Sequence, residues 1–431
     1  PERQDASKES AEPAWICVAA IAASPHPHVA DWDINMIAAA SRQAPHRAHL
    51  LLLATACVGG GLLPSCESEK SSAATESRGE WRTREWPMAR GGKELQGRVK
   101  DPVPRNPAIV WTFRAKGAVS SEAAIANGLI VFGTDEGQVH ALDLNTRNER
   151  WRVATMETVE ATPLILDDRV FIGSNDHTFR ALDLVTGREL WHVDGEEKFP
   201  TGGIPNGTGR ILVNGYDGSA RCLDAKDGAL VWKHETQDYI NGSPAVIDGG
   251  LVAFGGCDSV IHVIHLRDGT AANQVKSDAQ IIRSLAAWGD VVYGVNFANQ
   301  LIAFDVKSDK PAWIHECDGA QFNTSPGVDE ERVYVGSRDK QLHAVDRATG
   351  KSVWKYKTGG RIESSPLVFD DAVVFGSGDG RLRAVDPRDG SLIWQLDLGE
   401  NLPNAPAFAD GRIVIGGGDG NLFVIGETPQ K

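Results

Sequence analysis

The chain has 431 residues, 41% of them hydrophobic and 7% aromatic, which is enough apolar mass for a sizeable core and excludes disorder as the default. Its formal net charge is −14, which disfavours nucleic acid and anionic lipid surfaces as partners, because both require a basic face. Six cysteines (Cys17, Cys57, Cys66, Cys222, Cys257 and Cys317) show no C-x-x-C or zinc-type spacing, so no disulfide framework or metal knuckle is expected. The last three read as buried thiols, with a Cys257–Cys317 bridge left open.

Residues 1–35 carry no periodicity and read as a segment upstream of the native start. Residues 36–66 read as a secretory signal. Met36 opens it, Arg42 and Arg47 supply the positive region, and Leu50 to Leu63 form an apolar stretch too short to span a bilayer. The stretch ends in Leu63-Pro64-Ser65-Cys66, which resembles a bacterial lipobox. That resemblance implies lipidation of Cys66 and, with Glu67 rather than Asp after it, sorting to the outer membrane. Residues 67–107 form a tether and lead-in, Ser- and Glu-rich at first and therefore flexible in expectation.

From there tryptophan keeps a fixed beat: Trp111, Trp151, Trp191, Trp232, Trp313, Trp354 and Trp394. The steps are 40 or 41 residues, apart from one double step of 81 in which Asn273 occupies the missing beat. Eight residues before each later Trp stands an Asp, as in Asp183, Asp224, Asp346 and Asp386; His265 holds that slot in the unit without Trp. Each unit divides into four short strands separated by turn residues, as Asp370-Asp371, Gly378-Asp379-Gly380 and Pro387-Arg388-Asp389-Gly390 separate the strands of residues 363–394. The Asp is placed to accept turn N–H groups, and the Trp to wedge between neighbouring units.

Innermost strands start at Ala123, Pro163, Gly203, Pro244, Ala286, Pro326, Pro366 and Pro406. The expected fold is all-β: an eight-bladed β-propeller of four-stranded antiparallel blades over residues 108–426, with 427–431 a tail. The eighth unit lacks its outer strand, and Ile109–Arg114 is a spare one. Pairing the two closes the ring and removes both exposed edges.

The motif A-x-D-x-x-T-G-x-x-x-W, as in Ala181-Leu182-Asp183-Leu184-Val185-Thr186-Gly187-Arg188-Glu189-Leu190-Trp191, resembles the PQQ-like repeats of quinoprotein-type propellers. The opening Trp86-Pro87-Met88-Ala89-Arg90-Gly91-Gly92 also looks like the start of such proteins. One branch of that family comprises dehydrogenases that hold pyrroloquinoline quinone and calcium over the axis. This chain lacks the adjacent cysteine pair of the methanol-dehydrogenase-like members and is much shorter than those enzymes. The other branch, BamB-like, has the same layout of lipobox, short tether and eight blades. Membership there implies a non-catalytic lipoprotein scaffold without cofactor, on the periplasmic side of the outer membrane. It would be a monomer within a complex, bound to an envelope or outer-membrane protein. A quinone-dependent dehydrogenase and a periplasmic carbohydrate or small-molecule sensor are the alternatives.

Most tempting motifs dissolve into the repeat. The glycine runs at 376–380 and 416–420 precede strands, not helices, and read as turns rather than phosphate cradles. His262 and His265 are three apart on a strand and point to opposite faces. No nucleophile-elbow or zinc-protease motif occurs. What remains is irregular. The position after the first apolar residue of each inner strand reads Ser120, Glu160, Pro200, Asn241, Arg283, Asn323, Glu363 and Pro403, which predicts a polar channel mouth charged by Glu160, Arg283 and Glu363. The BamB resemblance directs attention to loops of the third to fifth blades on the same side. There Tyr239, Ile240, Ile282, Arg283, Asp217 and Asp258 fill the matching slots of a partner face.

Overall fold

The computed structural model describes residues 83–317 and 320–428. The upstream segment, the signal, Cys66 and the first part of the tether lie outside the described residues. Thirty-two strands form eight four-stranded antiparallel sheets, each consecutive in sequence except one, and the sheets are the blades of an eight-bladed propeller. In each blade strands a to d run outward from the axis. Blade 1, for example, comprises Ala124–Ala126, Leu129–Gly133, Gln138–Asp143 and Glu149–Ala154. The exception is blade 8, whose outer strand is the N-terminal Pro107–Arg114 paired antiparallel with Asn421–Glu427. The closure expected from the spare strand is therefore present. Glu427 belongs to the last strand rather than to a tail, because its carboxylate accepts the backbone N–H groups of Arg105 and Asn106.

The repeat motif is a seam between blades. The carboxylate of Asp183 accepts the N–H and hydroxyl of Thr186, closing the c–d turn. Gly187 follows at φ +71°, and a Cβ there would lie 2.7 Å from the indole of Trp151 in the previous blade. That indole donates to Leu184 O at 2.8 Å. Trp313 and Trp354 repeat the bond to Arg347 O and Pro387 O at 2.9 Å. Asn273 keeps the polar half of the lock, donating to Val306 O and Ser308 O at 2.9 and 2.8 Å. Where the indole has gone the opposing glycine has gone too: Asp309 stands in its slot. Cys222, Cys257 and Cys317 are buried and not disulfide-bonded to one another, so no Cys257–Cys317 bridge forms.

The lead-in is structural. Strand a is the inner edge of every blade and leaves N–H groups facing the axis. Residues 83–97 supply the acceptors: Thr83, Trp86, Pro87, Lys93, Glu94, Gln96 and Gly97 each accept a backbone N–H from a different blade, at 2.7 to 3.0 Å. The segment thus closes one end of the axial channel. Its opening motif has local reasons. Trp86 Nε1 and Arg90 N donate to the buried carboxylate of Glu122, and the Arg90 guanidinium donates to Ser365 O and Pro366 O. Gly91, at φ +77°, lies so close to the Trp86 ring that a Cβ would come within 2.4 Å of it.

Candidate functional site

With one end plugged, the channel is a blind funnel of about 180 Å³. Its floor is Ala89, Arg90 and Glu122, its wall is hydroxyls and amides such as Ser120, Thr201, Asn241 and Ser325, and its mouth carries Glu160, Arg283 and Glu363. The three charges expected at one opening do share it. Burial raises the Glu122 carboxyl to about 7, against the opposing pull of Arg90 and the Trp86 hydrogen bond. Arg283 is exposed as a residue but its guanidinium is ringed by protein, and that crowding lowers its pKa from the ordinary value while Glu363 and Glu160 favour its charge. Its Nε donates to Asn323 O at 3.2 Å, Asn323 Nδ2 donates to Glu363 Oε1 at 3.3 Å, and Arg338 Nε reaches the same oxygen at 3.3 Å.

The inner-strand alignment slips by one in blade 5. Ile281, not Ile282, fills the buried slot held elsewhere by Val119, Ile240 and Phe322, as its bridge to Asn296 shows. Strand a there is preceded by Leu285, where blades 4, 6, 7 and 8 have Pro. Two consecutive isoleucines hide the shift from any hydrophobic pattern. Ile282 is half-buried against the core, and Arg283 lines the channel from one position further along.

The funnel opens on the d–a and b–c loops, which are stitched together blade by blade. The N–H of one b–c residue donates to one d–a carbonyl in all eight blades, as Tyr216 to Lys198, Cys257 to Tyr239, Phe297 to Gln280 and Gly378 to Arg361. The residues in this frame differ from blade to blade. Tyr216 and Tyr239 stack with ring centroids 5.3 Å apart and planes 11° from parallel, and Lys198 Nζ sits 4.5 Å over the Tyr216 ring. Tyr239 is 42% exposed and Phe297, one blade on, 46%. Blades 7 and 8 offer Gly378 and Gly418 in the same slot.

Three residues expected on this face are turned inward. Ile240 is core. The carboxylates of Asp217 and Asp258 are buried, the first paired with Arg221 and the second 2.7 Å from His262 Nε2. The same i to i+4 pairing joins Asp176 to Arg180, Asp339 to His343 and Asp379 to Arg383. These aspartates staple the b–c turn to strand c. Sequence reasoning missed Lys198, Tyr216 and Phe297. For the two aromatics the signal was their place in a turn slot that the other blades fill with Asp, Asn, Cys, Arg or Gly.

Fold and site together define a closed PQQ-like propeller with an axial funnel and an aromatic sector on its loop face. The family model described as outer membrane protein assembly factor BamB matches residues 96–315 and 298–428, and the chain belongs to that family. A curated BamB from Xanthomonas campestris pv. campestris is 29% identical over 243 residues, which is 56% of this chain and 52% of that protein, so the match spans about half the relative's length. The crystal structure of BamB from Moraxella catarrhalis superposes with a TM-score of 0.65 at 19% identity, covering 74% of this chain and 99% of that one. A quinohemoprotein alcohol dehydrogenase from Comamonas testosteroni gives 0.69 at 13% identity, covering 81% and 82%. At these identities the structural likenesses establish the fold alone.

Proposed function

We propose that this chain is a non-catalytic envelope lipoprotein, anchored through Cys66 on the periplasmic side of the outer membrane. Its propeller serves as a protein-binding scaffold in outer-membrane protein assembly. The observation that carries this reading is the sector over blades 3 to 5. It sets a cation, two stacked tyrosines and an exposed Phe297 together on the loop face. Exposed aromatics beside a cation are what protein interfaces use as anchors, at low entropic cost. Family membership and the BamB relative support the process in which the scaffold acts.

The channel does not fit the quinone of the dehydrogenase branch. That cofactor is a tricarboxylate, and it would meet Glu160 and Glu363 at the mouth beside Arg283, while the other lining cation, Arg90 on the floor, is already engaged by Ser365 O and Pro366 O. No cofactor enters the proposed role.

A photo-crosslinking residue placed at Tyr239 or Phe297 in the native bacterium tests the reading, with Val185 on an exposed c–d turn as the control. Adducts with an outer-membrane assembly protein from the two loop-face sites, absent from Val185, are expected. Equal capture at all three sites, or none at the loop face, overturns it. So does dye-linked alcohol or sugar oxidation after loading with the quinone and calcium.

A further inference from the structure

Blade 6 departs from the repeat at its inter-blade contact. In blades 2, 3 and 7 the b–c Asp pairs with an Arg four residues on; in blade 6 that residue is His343. The strand entering from the previous blade ends in Thr155, Thr236 or Thr358 at three of the other seams, and their hydroxyls bond carbonyls of their own blade's b–c loop at 2.8 to 3.0 Å. Here it ends in Cys317, whose sulfur instead faces across to the next blade. Cys317 Sγ lies 3.6 Å from Asp339 Oδ2 and 3.8 Å from His343 Nε2, and the last two atoms are 2.8 Å apart. Ser337 Oγ is 3.6 Å from the sulfur. Both departures substitute a soft or borderline metal donor for a residue that cannot ligate well. Blade 4 has the matching pair, Asp258 and His262, but its incoming residue is Thr236, so it lacks the third donor.

We propose that Cys317, Asp339 and His343 form a zinc-type divalent cation site that ties blade 5 to blade 6. The three ligand atoms lie within 4.8 Å of one another, and the cysteine and histidine are buried. Bond lengths of about 2.3 Å to sulfur and 2.0 to 2.2 Å to nitrogen and oxygen, at tetrahedral angles, require ligand atoms roughly 3.4 to 3.6 Å apart. The two sulfur distances already match to within about 0.2 Å. Only the His–Asp pair must open, by about 0.6 Å, and the cation replaces the proton between them. Cation entry displaces the thiol proton to solvent. The imidazole proton moves to Nδ1, which has no hydrogen-bond partner in the structure. Thiolate, carboxylate and a dication sum to a neutral cluster, the condition for holding charge away from water. Ser337 Oγ or water completes the fourth position.

The test uses the full chain, stripped with a chelator and titrated with zinc against a chromophoric competitor, and separately loaded with cobalt(II). Two variants return the site to the repeat's own residues, so each keeps a precedent for folding: His343→Arg restores the Asp–Arg pair, and Cys317→Thr restores the hydroxyl. The wild type is expected to bind one more equivalent than either variant and to show a thiolate-to-cobalt absorption that both lack. Affinity at this site should fall by more than about 100-fold, beyond the upper end of losses from outer-shell changes. Equal stoichiometry in all three proteins, or a cobalt–thiolate band that persists in both variants and so comes from cysteines elsewhere, overturns the assignment.

Discussion

The Trp–Gly seam permits a separation of two effects that a glycine substitution usually confounds. Gly350 has φ +70°, and a Cβ there would stand 2.7 Å from the Trp313 ring. Gly128 has φ +73° with nothing within 4 Å of the same added atom. Substituting Ala at Gly128 costs only the left-handed backbone, about 1 to 2 kcal/mol. At Gly350 the same term applies, and the indole must also move. Overpacking of this kind costs about 1 to 3 kcal/mol. The displaced ring loses its 2.9 Å bond to Arg347 O, worth about 1 kcal/mol. Gly350→Ala should therefore destabilise by about 3 to 6 kcal/mol, well beyond Gly128→Ala. Urea unfolding followed by tryptophan fluorescence reads the difference as a larger drop in midpoint at unchanged slope. If the two variants shift the midpoint equally, the glycine is there for its φ alone and the seam is not a packing lock.

Three further outcomes follow from individual contacts. Asn273→Ala removes both bonds to the next blade's turn, which should cost about 1 to 3 kcal/mol and speed hydrogen exchange at Val306 to Ser308 more than elsewhere. Glu122, raised by burial from 4.5 to about 7, holds a proton in the folded chain that the unfolded chain has released across that window. Stability should therefore fall as pH rises from 4.5 to 7, and Glu122→Gln should flatten that slope in pH-dependent urea midpoints; an unchanged slope refutes the assignment. Asp379 shows the opposite sign. Despite the cost of burial, its Arg383 partner holds it at about 2. Its stabilisation should be full above 3.8 and vanish as pH falls towards 2, and Asp379→Asn should blunt the acid limb of the same titration.

The blade count, the ring closure and the stand-in at Asn273 were legible because each rests on a period carried by side chains. The lead-in was not. It binds seven blades through its own carbonyl oxygens, and carbonyls leave no mark in a sequence. The polar mouth was legible as a set of charges, yet Ile281 and Ile282 are interchangeable to any hydrophobic scale, so the register in blade 5 slipped by one residue. Asp217 and Asp258 misled for a different reason. A turn aspartate reads as exposed until its partner four residues on is noticed, and Arg221 and His262 stand at that offset. The recurrence of Asp-x-x-x-Arg or His in five units was the available signal.

The two ends of the channel answer to different constraints. At the plugged end, every blade needs an acceptor for an inner-edge N–H, and one segment provides nearly all of them. A substitution there is judged by its effect on stability, as the crowding of Gly91 and Gly97 against Trp86 and Arg90 illustrates. At the loop end one backbone bond recurs in every blade, between a b–c N–H and a d–a carbonyl, and it forms whatever side chain the b–c residue carries. The side chain of that b–c residue is released from making this bond. Tyr216 and Phe297 occupy slots that Gly378 and Gly418 fill equally well, so the fold does not require the aromatics where they stand. An exposed aromatic has a hydration cost that packing does not repay, and that cost is offset when another surface covers it. The sector over blades 3 to 5 is therefore where a partner's contribution to this molecule's energetics is to be measured.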